Sequence, residues 1–279
     1  MAKSAGFLTM GLRSEFLVRP GKKVSLSEYD SDDTSGFEHD DHAGAVQQKL
    51  LQRLDELQYL LYASKKFALL IVLQAMDCGG KDGTIRHVMS GVDPQGCRVT
   101  PFKPPTPEEL AHDFLWRIHK SVPPRGEIGI FNRSHYEDVL VVRVHKVVPR
   151  TVWSKRFEEI NLFEKFLTEN DVKILKFYLH ISRQEQMKRF KERIRNSTKN
   201  WKLSPADFHE RNYWKAYVTA YEDALSRCST KWAPWYIIPA NHKWFRNLAV
   251  SQIIVKTLDD MNLKFPKPSF NVLRYRMRD

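Results

Sequence analysis

The chain has 279 residues, 42% apolar and 12% aromatic, so it can bury a large core and is not disordered along most of its length. Its formal net charge of +12 favours an anionic partner, such as nucleic acid, anionic lipid or a polyphosphorylated substrate; a basic surface kept only for solubility is the alternative. The three cysteines, Cys78, Cys97 and Cys228, lack the spacing of a metal site or a disulfide framework.

Residues 1–44 lack sustained periodicity and carry a basic stretch followed by an acidic one. Such a segment has little structure of its own, so we predict a partly irregular amino-terminal arm that packs on the domain or on a neighbouring subunit. Residues 45–279 contain no internal repeat and no clear linker, and they are predicted to form one domain.

From residue 46 onwards, helix and strand patterns alternate. Apolar residues recur at helical spacing over residues 46–63, and the continuous apolar run 67–73 is typical of a strand covered on both faces. Further strands are predicted at 99–102, 127–131, 172–180 and 234–238, and further helices at 84–89, 106–120, 148–169, 204–227 and 241–262. Thr106 begins a capping box, Ser204 begins another capped helix, and Asn241 is predicted to cap the last one. The alternation predicts an α/β fold with a mainly parallel sheet.

Nothing in the sequence predicts a membrane segment. The most apolar run, residues 67–76, is half as long as the roughly 20 residues that cross a bilayer, and the amino terminus lacks the apolar core of a signal peptide. The absence of a disulfide framework among the cysteines also fits a reducing compartment, so we expect a cytoplasmic protein.

The sharpest pattern follows the first predicted strand, where Asp77, two glycines, Lys81 and a third glycine occur within seven residues. A phosphate-binding loop needs a delivering strand, glycines that turn backbone N–H groups inward, a lysine that reaches phosphate oxygens and a helix N-terminus. All four requirements are met in this order. The predicted phosphate-binding residues are Gly79, Gly80, Lys81, Asp82, Gly83 and Thr84.

This loop departs from the usual phosphate-loop pattern at two positions. Ala75 replaces the first glycine, and Asp82 follows Lys81 where a metal-binding hydroxyl is expected. Because carboxylate oxygen suits Mg²⁺, we predict Asp77 as the metal ligand, with Mn²⁺ as an alternative ion. A plain glycine turn is the alternative reading of the loop, and Cys78 is interpreted as filling space rather than as a nucleophile.

A polar cluster ends the strand predicted at residues 127–131. In open α/β sheets ligands bind beyond the carboxyl ends of the strands, so this cluster should face the phosphate loop. Arg133 offers a bidentate fork for phosphate. The predicted nucleotide-binding residues are Asn132, Ser134, Glu137 and Asp138. A helix N-cap at Ser134 is the alternative, and both readings are compatible.

Residues 183–215 contain ten Lys or Arg against four acidic residues. Arg189 and Arg193 lie four residues apart and so share one face of a predicted helix. The pattern predicts a lid that closes on phosphate and excludes water, with an ordinary solvated face as the alternative. Lys103, Arg117 and His119 are predicted to line the path of a long anion.

The sequence resembles the polyphosphate kinase 2 family, a P-loop kinase-like group. The resemblance is carried by residues 74–83, 91–103, 109–117 with 129–138, and 201–207 with 233–243. It spans about residues 50–263 and leaves out the arm. The run Phe-Asn-Arg-Ser-His-Tyr-Glu-Asp resembles that of the branch whose members accept both nucleoside mono- and diphosphates, and Asn132 is its informative position.

The resemblance implies a three-layer P-loop kinase-like fold with a helical lid, and assembly as a homodimer or homotetramer. It also implies roles for individual side chains. Asp77 coordinates Mg²⁺, Lys81 and Arg133 bind the transferring phosphoryl group, Arg189 and Arg193 belong to the lid, and Lys103 lines a polyphosphate channel.

We therefore expect Mg²⁺-dependent, reversible in-line transfer of a terminal polyphosphate phosphoryl group to AMP or ADP, with guanine nucleotides as alternative acceptors. The attacking phosphate oxygen is already ionised, so catalysis rests on alignment and charge neutralisation rather than on a strong base. One alternative is an ATP-dependent small-molecule kinase. The other is a basic nucleic-acid-binding module, for which Trp201, Tyr213 and Trp214 are candidate stacking residues.

Overall fold

The computed structural model describes residues 11–39 and 41–270, and within them it contains one five-stranded parallel sheet. The strands are β1 Ala68–Ala75, β2 Cys97–Pro101, β3 Ile128–Asn132, β4 Val172–His180 and β5 Trp235–Pro239. Their order is β2-β3-β1-β4-β5, so β1 lies in the middle, with β2 and β3 on one side of it and β4 and β5 on the other. The predicted α/β fold with a parallel sheet is confirmed.

Helices cover the sheet in two layers. In chain order they are α1 Leu12–Glu15, α2 Asp41–Ser64, α3 Lys81–Val88, α4 Pro107–Leu110, α5 Trp116–His119, α6 Val141–Val144, α7 Arg150–Trp153, α8 Arg156–Glu169, α9 Arg183–Arg195, α10 Pro205–Glu210, α11 Trp214–Cys228 and α12 Lys243–Asp260. Helix α12 packs on α2, α3, β4 and β5, whereas α8 packs on β4 and α11. This is the three-layer P-loop kinase-like arrangement. None of the helices in the described ranges combines the length and apolar character needed to cross a membrane.

The central strand brings the two loops of interest together. All eight residues of β1 are buried, as its continuous apolar run predicts for a parallel strand with helices on both faces. Leu73 of β1 lies opposite Asn132 of β3 in the parallel register. The chain segments that follow these two strands therefore leave the sheet side by side.

The described part of the predicted arm packs against the domain. Phe16 and Val18 are buried, and Leu17 forms an antiparallel bridge with Tyr236 of β5. This contact covers the exposed edge of β5. Helix α2 begins within the predicted arm. Residues 1–10 and 40 of the arm, and 271–279 of the predicted domain, lie outside the described residues.

The prediction of a single helix over residues 106–120 is wrong, because the structure has two short helices there, α4 and α5. The capping box is confirmed: Thr106 Oγ1 accepts from the Glu109 backbone N at 3.2 Å, and the Glu109 carboxylate accepts from the Thr106 N at 2.8 Å. Helix α4 nevertheless ends after four residues. The Asp113 carboxylate accepts from the Leu115 backbone N at 2.9 Å, and this local bond competes with helical pairing before α5 begins.

Other predicted helices are also divided or displaced. The helix predicted over 148–169 is split into α7 and α8, and the one over 204–227 is interrupted by a 3-10 turn between α10 and α11. Asn241 does not cap α12, because His242 is the N-cap residue. The Asn241 amide instead accepts from the Ser182 backbone N at 3.0 Å and donates to Ser31 Oγ at 3.1 Å, which joins the arm to the start of α9.

A buried charge cluster lies beneath the turn that follows β3. The Lys176 ammonium donates to the Glu164 carboxylate at 2.5 Å, the Tyr136 hydroxyl at 2.8 Å and the Cys228 carbonyl at 2.7 Å. His135 also contacts Glu164, at 3.1 Å. Burial raises the pKa of Glu164, but the charge of Lys176 and the His135 hydrogen bond hold it below its ordinary value. Because all three ammonium hydrogens have acceptors, the core tolerates the charge and the turn is held in place.

Candidate active site

Two adjoining cavities open at the carboxyl ends of β1 and β3. The first, the phosphate cleft, has a volume of about 450 Å³. Its lining includes residues 77–83, Lys103, Asn132, Arg133, Arg193, Lys202 and Asp207. The second, the aromatic cavity, has a volume of about 320 Å³, and its lining includes Glu137, His145, Glu210, Trp214, Tyr217 and Tyr221. Asp77 and Arg133 line both cavities and therefore stand where they meet.

The loop after β1 needs glycine at two positions. At Gly80 the φ angle is +101°, and a Cβ atom would lie 2.1 Å from Arg246 Nη1. At Gly79 a Cβ atom would lie 2.4 Å from the Ala75 Cβ. Glycine permits both the left-handed backbone and the close approach, so the loop can fold tightly over the start of α3. A plain glycine turn without this packing does not describe the loop.

Lys81 is the first residue of α3, and its side chain reaches back over the loop. Its Nζ donates to the Ala75 carbonyl at 3.3 Å, and the residue lines the phosphate cleft. Burial and the neighbouring charge of Arg133 lower the pKa of the Lys81 ammonium. An anionic phosphate in the cleft would supply counter-charge to both cations, so the geometry favours phosphate binding.

Arg133 forms the opposite wall. Its Nη2 lies 3.2 Å from Asp77 Oδ1, and its Nη1 lies 3.6 Å from Glu137 Oε2. Burial alone would lower the pKa of the Arg133 guanidinium, but the charges of Glu137 and Asp77 raise it above its ordinary value. The backbone of Arg133 is left-handed, with φ of +64°, and its N donates to the Leu73 carbonyl of β1 at 3.1 Å. A strained non-glycine residue held by the sheet is typical of functional sites.

Asp82 connects three separate parts of the chain. Its carboxylate accepts from Asn132 Nδ2 at 2.9 Å and lies 3.4 Å from Lys202 Nζ. Burial raises the pKa of the Asp82 carboxyl, but the Asn132 hydrogen bond and the Lys202 charge outweigh it, so the pKa is below its ordinary value. Asp82 therefore holds β3 and the predicted lid beside the start of α3, and Lys202 is a cleft residue that the sequence did not single out.

The two predicted lid arginines occupy different environments. Arg189 is 5% exposed, and all five of its N–H groups have acceptors. These acceptors are the Glu185 carboxylate at 2.7 Å and the carbonyls of Cys78 at 3.0 Å, Gly79 at 3.1 Å, Ala240 at 2.5 Å and Asn241 at 3.1 Å. No N–H group remains for phosphate. The expectation that Arg189 faces the cleft is therefore corrected: it holds the phosphate loop from behind.

Arg193 does line the phosphate cleft. Within residues 11–39 and 41–270, its side chain has no hydrogen-bond or ion-pair partner, so its guanidinium is available to an anion. The nearby Cys78 is not a thiolate, because burial raises its pKa to about 11 despite the opposing charge of Arg193. This agrees with the interpretation of Cys78 as a space-filling residue.

Thr84 and Ser134 lie away from the cleft surface. Thr84 is buried, and its Oγ1 donates to the Gly80 carbonyl at 3.1 Å within α3. Ser134 is buried as the N-cap of the turn His135–Asp138, where its Oγ accepts from the Tyr136 N at 3.2 Å. The N-cap reading of Ser134 is thus confirmed, and the geometry does not place either hydroxyl where it could reach a ligand.

Among the residues predicted to line the path of a long anion, Lys103 lies on the cleft. Arg117 is directed elsewhere: its Nη1 donates to the Lys103 carbonyl at 2.9 Å and lies 3.5 Å from a Glu109 oxygen. It therefore supports the Lys103 backbone. His119 packs edge-on against Phe163, with ring centroids 5.6 Å apart, and does not line the cleft.

Asp138 also faces away from both cavities. Its carboxylate accepts from Arg156 Nη1 at 2.9 Å, and its side chain is 15% exposed. Burial raises the pKa of Asp138 to about 6, although the charge of Arg156 opposes the rise. The structure thus gives Asp138 a packing role in place of the predicted contact with the nucleotide.

This placement has a measurable pH dependence. Because the folded pKa lies above the ordinary value of 3.8, the stabilisation that Asp138 provides is present at low pH and is lost as the pH rises through about 6. Between about pH 4 and pH 7, chemical denaturation should show the unfolding free energy of the wild type falling relative to Asp138→Asn, by at most about 3 kcal/mol. The KM of Asp138→Asn for the nucleotide should equal that of the wild type. A large rise in this KM would show that Asp138 does contact the nucleotide.

Arg246 of α12 is a site residue that the sequence did not reveal. It is buried beneath Gly80, and its Nε and Nη2 both donate to Asn247 Oδ1, at 3.2 and 2.8 Å. Burial and the charge of Arg189 lower its pKa to about 10. The one feature of the sequence that could have indicated this role is that Arg246 occurs within a largely apolar helical segment. Its position puts a second cation behind the phosphate loop.

The aromatic cavity contains a polar group that was also missed. Glu210 Oε2 accepts from the Tyr217 hydroxyl at 2.8 Å and lies 3.0 Å from His145 Nε2. The Tyr221 hydroxyl donates to the Ala75 carbonyl at 3.1 Å. Aromatic walls with a few fixed polar atoms suit a flat, polar ring.

Together the cleft presents cations from three chain segments, Lys81, Arg133 and Arg193, beside the carboxylate of Asp77. This arrangement can neutralise a phosphate chain and align it with a second phosphate at the boundary of the two cavities. Phosphoryl transfer depends mainly on aligning the two phosphates and neutralising their charge, and this arrangement can do both.

Comparison with known proteins agrees with this geometry. The family model for polyphosphate kinase 2 matches residues 38–266. The chain is 50% identical over 255 residues to the AMP/ADP-polyphosphate phosphotransferase of Meiothermus ruber, covering 91% of this chain and 96% of that protein. It is 45% identical over 265 residues to the ADP-polyphosphate phosphotransferase of Rhodopseudomonas palustris, covering 91% and 92%. The crystal structure of polyphosphate kinase 2 from Arthrobacter aurescens TC1 matches with a TM-score of 0.88 at 42% identity, covering 92% and 93%.

Proposed function

The chain belongs to the polyphosphate kinase 2 family, and from this premise we propose that it transfers the terminal phosphoryl group of inorganic polyphosphate to AMP and ADP. The relative from Meiothermus ruber is named for both acceptors, in agreement with the interpretation of Asn132. One observation carries the proposal: Lys81, Arg133 and Arg193 line a single cleft, which meets an aromatic cavity at Asp77.

In the proposed mechanism the polyphosphate lies along the phosphate cleft and the nucleoside lies in the aromatic cavity. The acceptor phosphate then enters at the boundary, beside Arg133. Lys81 and Arg133 bind the transferring phosphoryl group, and Arg193 neutralises charge on the phosphates beyond it. The attacking oxygen is ionised at neutral pH, so the protein has to align the two anions and offset their repulsion, and no side chain needs to remove a proton.

The donor set also fits a divalent ion. In residues 11–39 and 41–270, no group of three or more His, Cys, Asp or Glu side chains is arranged to hold a metal. Mg²⁺ commonly uses only one or two protein carboxylates and takes its remaining ligands from phosphate and water. Asp77, at the boundary of the cavities, is the residue that would hold Mg²⁺ or Mn²⁺. Such an ion supplies charge neutralisation on the phosphate oxygens.

Asp77→Asn tests this assignment. The amide keeps an oxygen for Arg133 Nη2, now 3.2 Å from the carboxylate, but removes the charge that attracts a cation. We expect the Mg²⁺ concentration for half-maximal rate to rise by about tenfold or more, with a large loss of kcat. Asp82→Asn is the matched control, because its carboxylate already contacts Asn132 and Lys202. An equal Mg²⁺ requirement in both variants would contradict the role of Asp77.

The function itself is tested by incubating the purified protein with AMP or ADP, Mg²⁺ and polyphosphate. ADP and ATP should form without added ATP. If products appear only when ATP is supplied, the protein is instead an ATP-dependent small-molecule kinase. Tight nucleic-acid binding with a steep salt dependence and no phosphoryl transfer would indicate the binding module.

Three further expectations remain predictions. Guanine nucleotides are the alternative acceptors. A homodimer or homotetramer is expected, and the exposed Leu162 and Phe166 of α8 offer an apolar surface for such contacts. A cytoplasmic setting is consistent with three cysteines that are all free thiols.

A further inference from the structure

A basic groove runs along the face of α9 that points away from the phosphate cleft. This outer groove has a volume of about 710 Å³ and is lined by one face of α9 together with Arg211. Its cationic residues are Arg183, Lys188, Lys191, Arg195 and Arg211. They are half of the ten Lys and Arg in residues 183–215, whereas only Arg193 and Lys202 from that segment line the cleft.

The groove carries little compensating charge. Glu192 is its one acidic lining residue, and it lies 3.5 Å from Lys243. Within the part of the chain that the structure describes, the side chains of Arg183, Lys191 and Arg195 have no ion-pair partner. Cations held together without counter-charge repel one another, so an anion in the groove would be stabilised.

Arg211 shows the crowding of positive charge directly. Its Nη1 donates to two neutral acceptors, the Arg183 carbonyl at 3.3 Å and Gln186 Oε1 at 3.2 Å. Burial and the charge of Arg183 lower the pKa of Arg211. Hydrogen bonds from the Arg211 side chain to the Arg183 carbonyl and the Gln186 side chain thus hold Arg211 near Arg183 although the two charges oppose this, as expected of a preformed anion site.

The groove and the cleft lie on opposite faces of α9 at its carboxyl-terminal end. Arg193 lines the cleft and Arg195 lines the groove, two residues apart on different faces of the last helical turn. An α-helix with its side chains is only about 10–12 Å across. A flexible anionic chain that leaves the cleft past Arg193 can therefore turn round the end of the helix and enter the groove.

We propose that the outer groove binds the distal part of the same polyphosphate chain whose terminal group reacts in the cleft. This inference rests on the proposed function. The lining contains no aromatic side chain on which a base could stack, so the groove suits a polyphosphate better than a single-stranded nucleic acid. Binding at two connected sites makes the affinity depend on chain length, because only a chain long enough to reach both gains the second set of contacts.

The double variant Lys191→Gln/Arg195→Gln tests the proposal with two exposed side chains outside the transfer site. KM for long-chain polyphosphate should rise about tenfold, since each exposed charge contact contributes a factor of up to about five. KM for hexaphosphate and for ADP, and kcat with either donor, should be unchanged. The salt dependence of KM should become shallower for the long chain alone, because fewer counterions are released on binding.

Lys264→Gln/Lys267→Gln is the control, since it removes two charges from exposed positions beyond α12. It should leave both donors unaffected. An unchanged long-chain KM in the groove variant, an equal effect on hexaphosphate, or an equal effect in the control would each overturn the inference. Loss of RNA binding with unaltered polyphosphate kinetics would assign the groove to nucleic acid. Absence of any transfer by the wild type with hexaphosphate or long chains would contradict the proposed function instead.

Discussion

Replacing Lys81 with methionine is expected to abolish phosphoryl transfer while the protein remains folded. Lys81 supplies the ammonium at the point where the loop after β1 meets α3, and no other lysine lines that part of the cleft in residues 11–39 and 41–270. Loss of one well-placed cationic donor removes about 3 kcal/mol of transition-state stabilisation, roughly a hundredfold in rate, and more where the donor also aligns the phosphate. The measurement is kcat with saturating ADP, Mg²⁺ and polyphosphate.

The fold should survive this change because the side chain has few bonds to lose. Among residues 11–39 and 41–270 its ammonium makes one hydrogen bond, to the Ala75 carbonyl at 3.3 Å, and burial already disfavours its charge. Methionine keeps the length of the side chain and its packing. The melting temperature should therefore stay close to that of the wild type.

Lys103→Met is the matched comparison, since Lys103 lines the same cleft but is exposed. It should raise KM for polyphosphate a few-fold and leave kcat nearly intact, as expected for an exposed charge contact. Substantial turnover by a folded Lys81→Met protein, or equal defects in the two variants, would remove Lys81 from the centre of the mechanism.

Arg189→Met and Arg193→Met should separate structural from direct effects of the two arginines on α9. Arg189→Met leaves carbonyls of the phosphate loop and of the segment after β5 without donors in the buried interior. We expect a loss of about 3–5 kcal/mol in the free energy of unfolding together with a fall in kcat. Arg193→Met breaks no hydrogen bond or ion pair among the described residues, so stability should change by less than about 0.5 kcal/mol while kcat/KM falls by about 10- to 100-fold.

Arg189→Lys is the control variant, because it keeps the positive charge and removes the planar set of five donors. A single ammonium has three donors and cannot serve acceptors spread over a planar fork, so it should not rescue the stability of the protein. Chemical denaturation and steady-state kinetics on the three variants give the comparison. Equal loss of stability in Arg189→Met and Arg193→Met, or full stability in Arg189→Lys, would contradict the assignment.

The contacts of Arg189 also bear on the predicted lid. They join the middle of α9 to the phosphate loop and to Asn241, whose amide in turn holds the start of the helix through Ser182. These bonds are buried or partly buried, so the first part of α9 should move with the domain rather than close over the substrate. We expect any closure to involve the segment that follows Arg193, which carries Lys202 to Asp82 across the cleft.

The local features of the site were predictable from the sequence alone. The strand β1, the glycines at 79 and 80, the position of Lys81 and the capping box at Thr106 each depend on neighbouring residues. A left-handed backbone, a helix start or a doubly covered strand leaves its own pattern of residue types. Strand and loop order then placed Arg133 beside the phosphate loop, because parallel strands end at one edge of the sheet.

Tertiary packing decided which of these polar side chains face the cleft. Arg189 and Arg193 are equivalent in the sequence pattern, yet only the contact of α9 with the segment after β5 buries one and leaves the other free. Arg246 and Lys202 reach the loop from distant parts of the chain, and Asp138 turns away to Arg156. Helical spacing specifies a face of a helix, but the direction in which that face points depends on the elements packed against it.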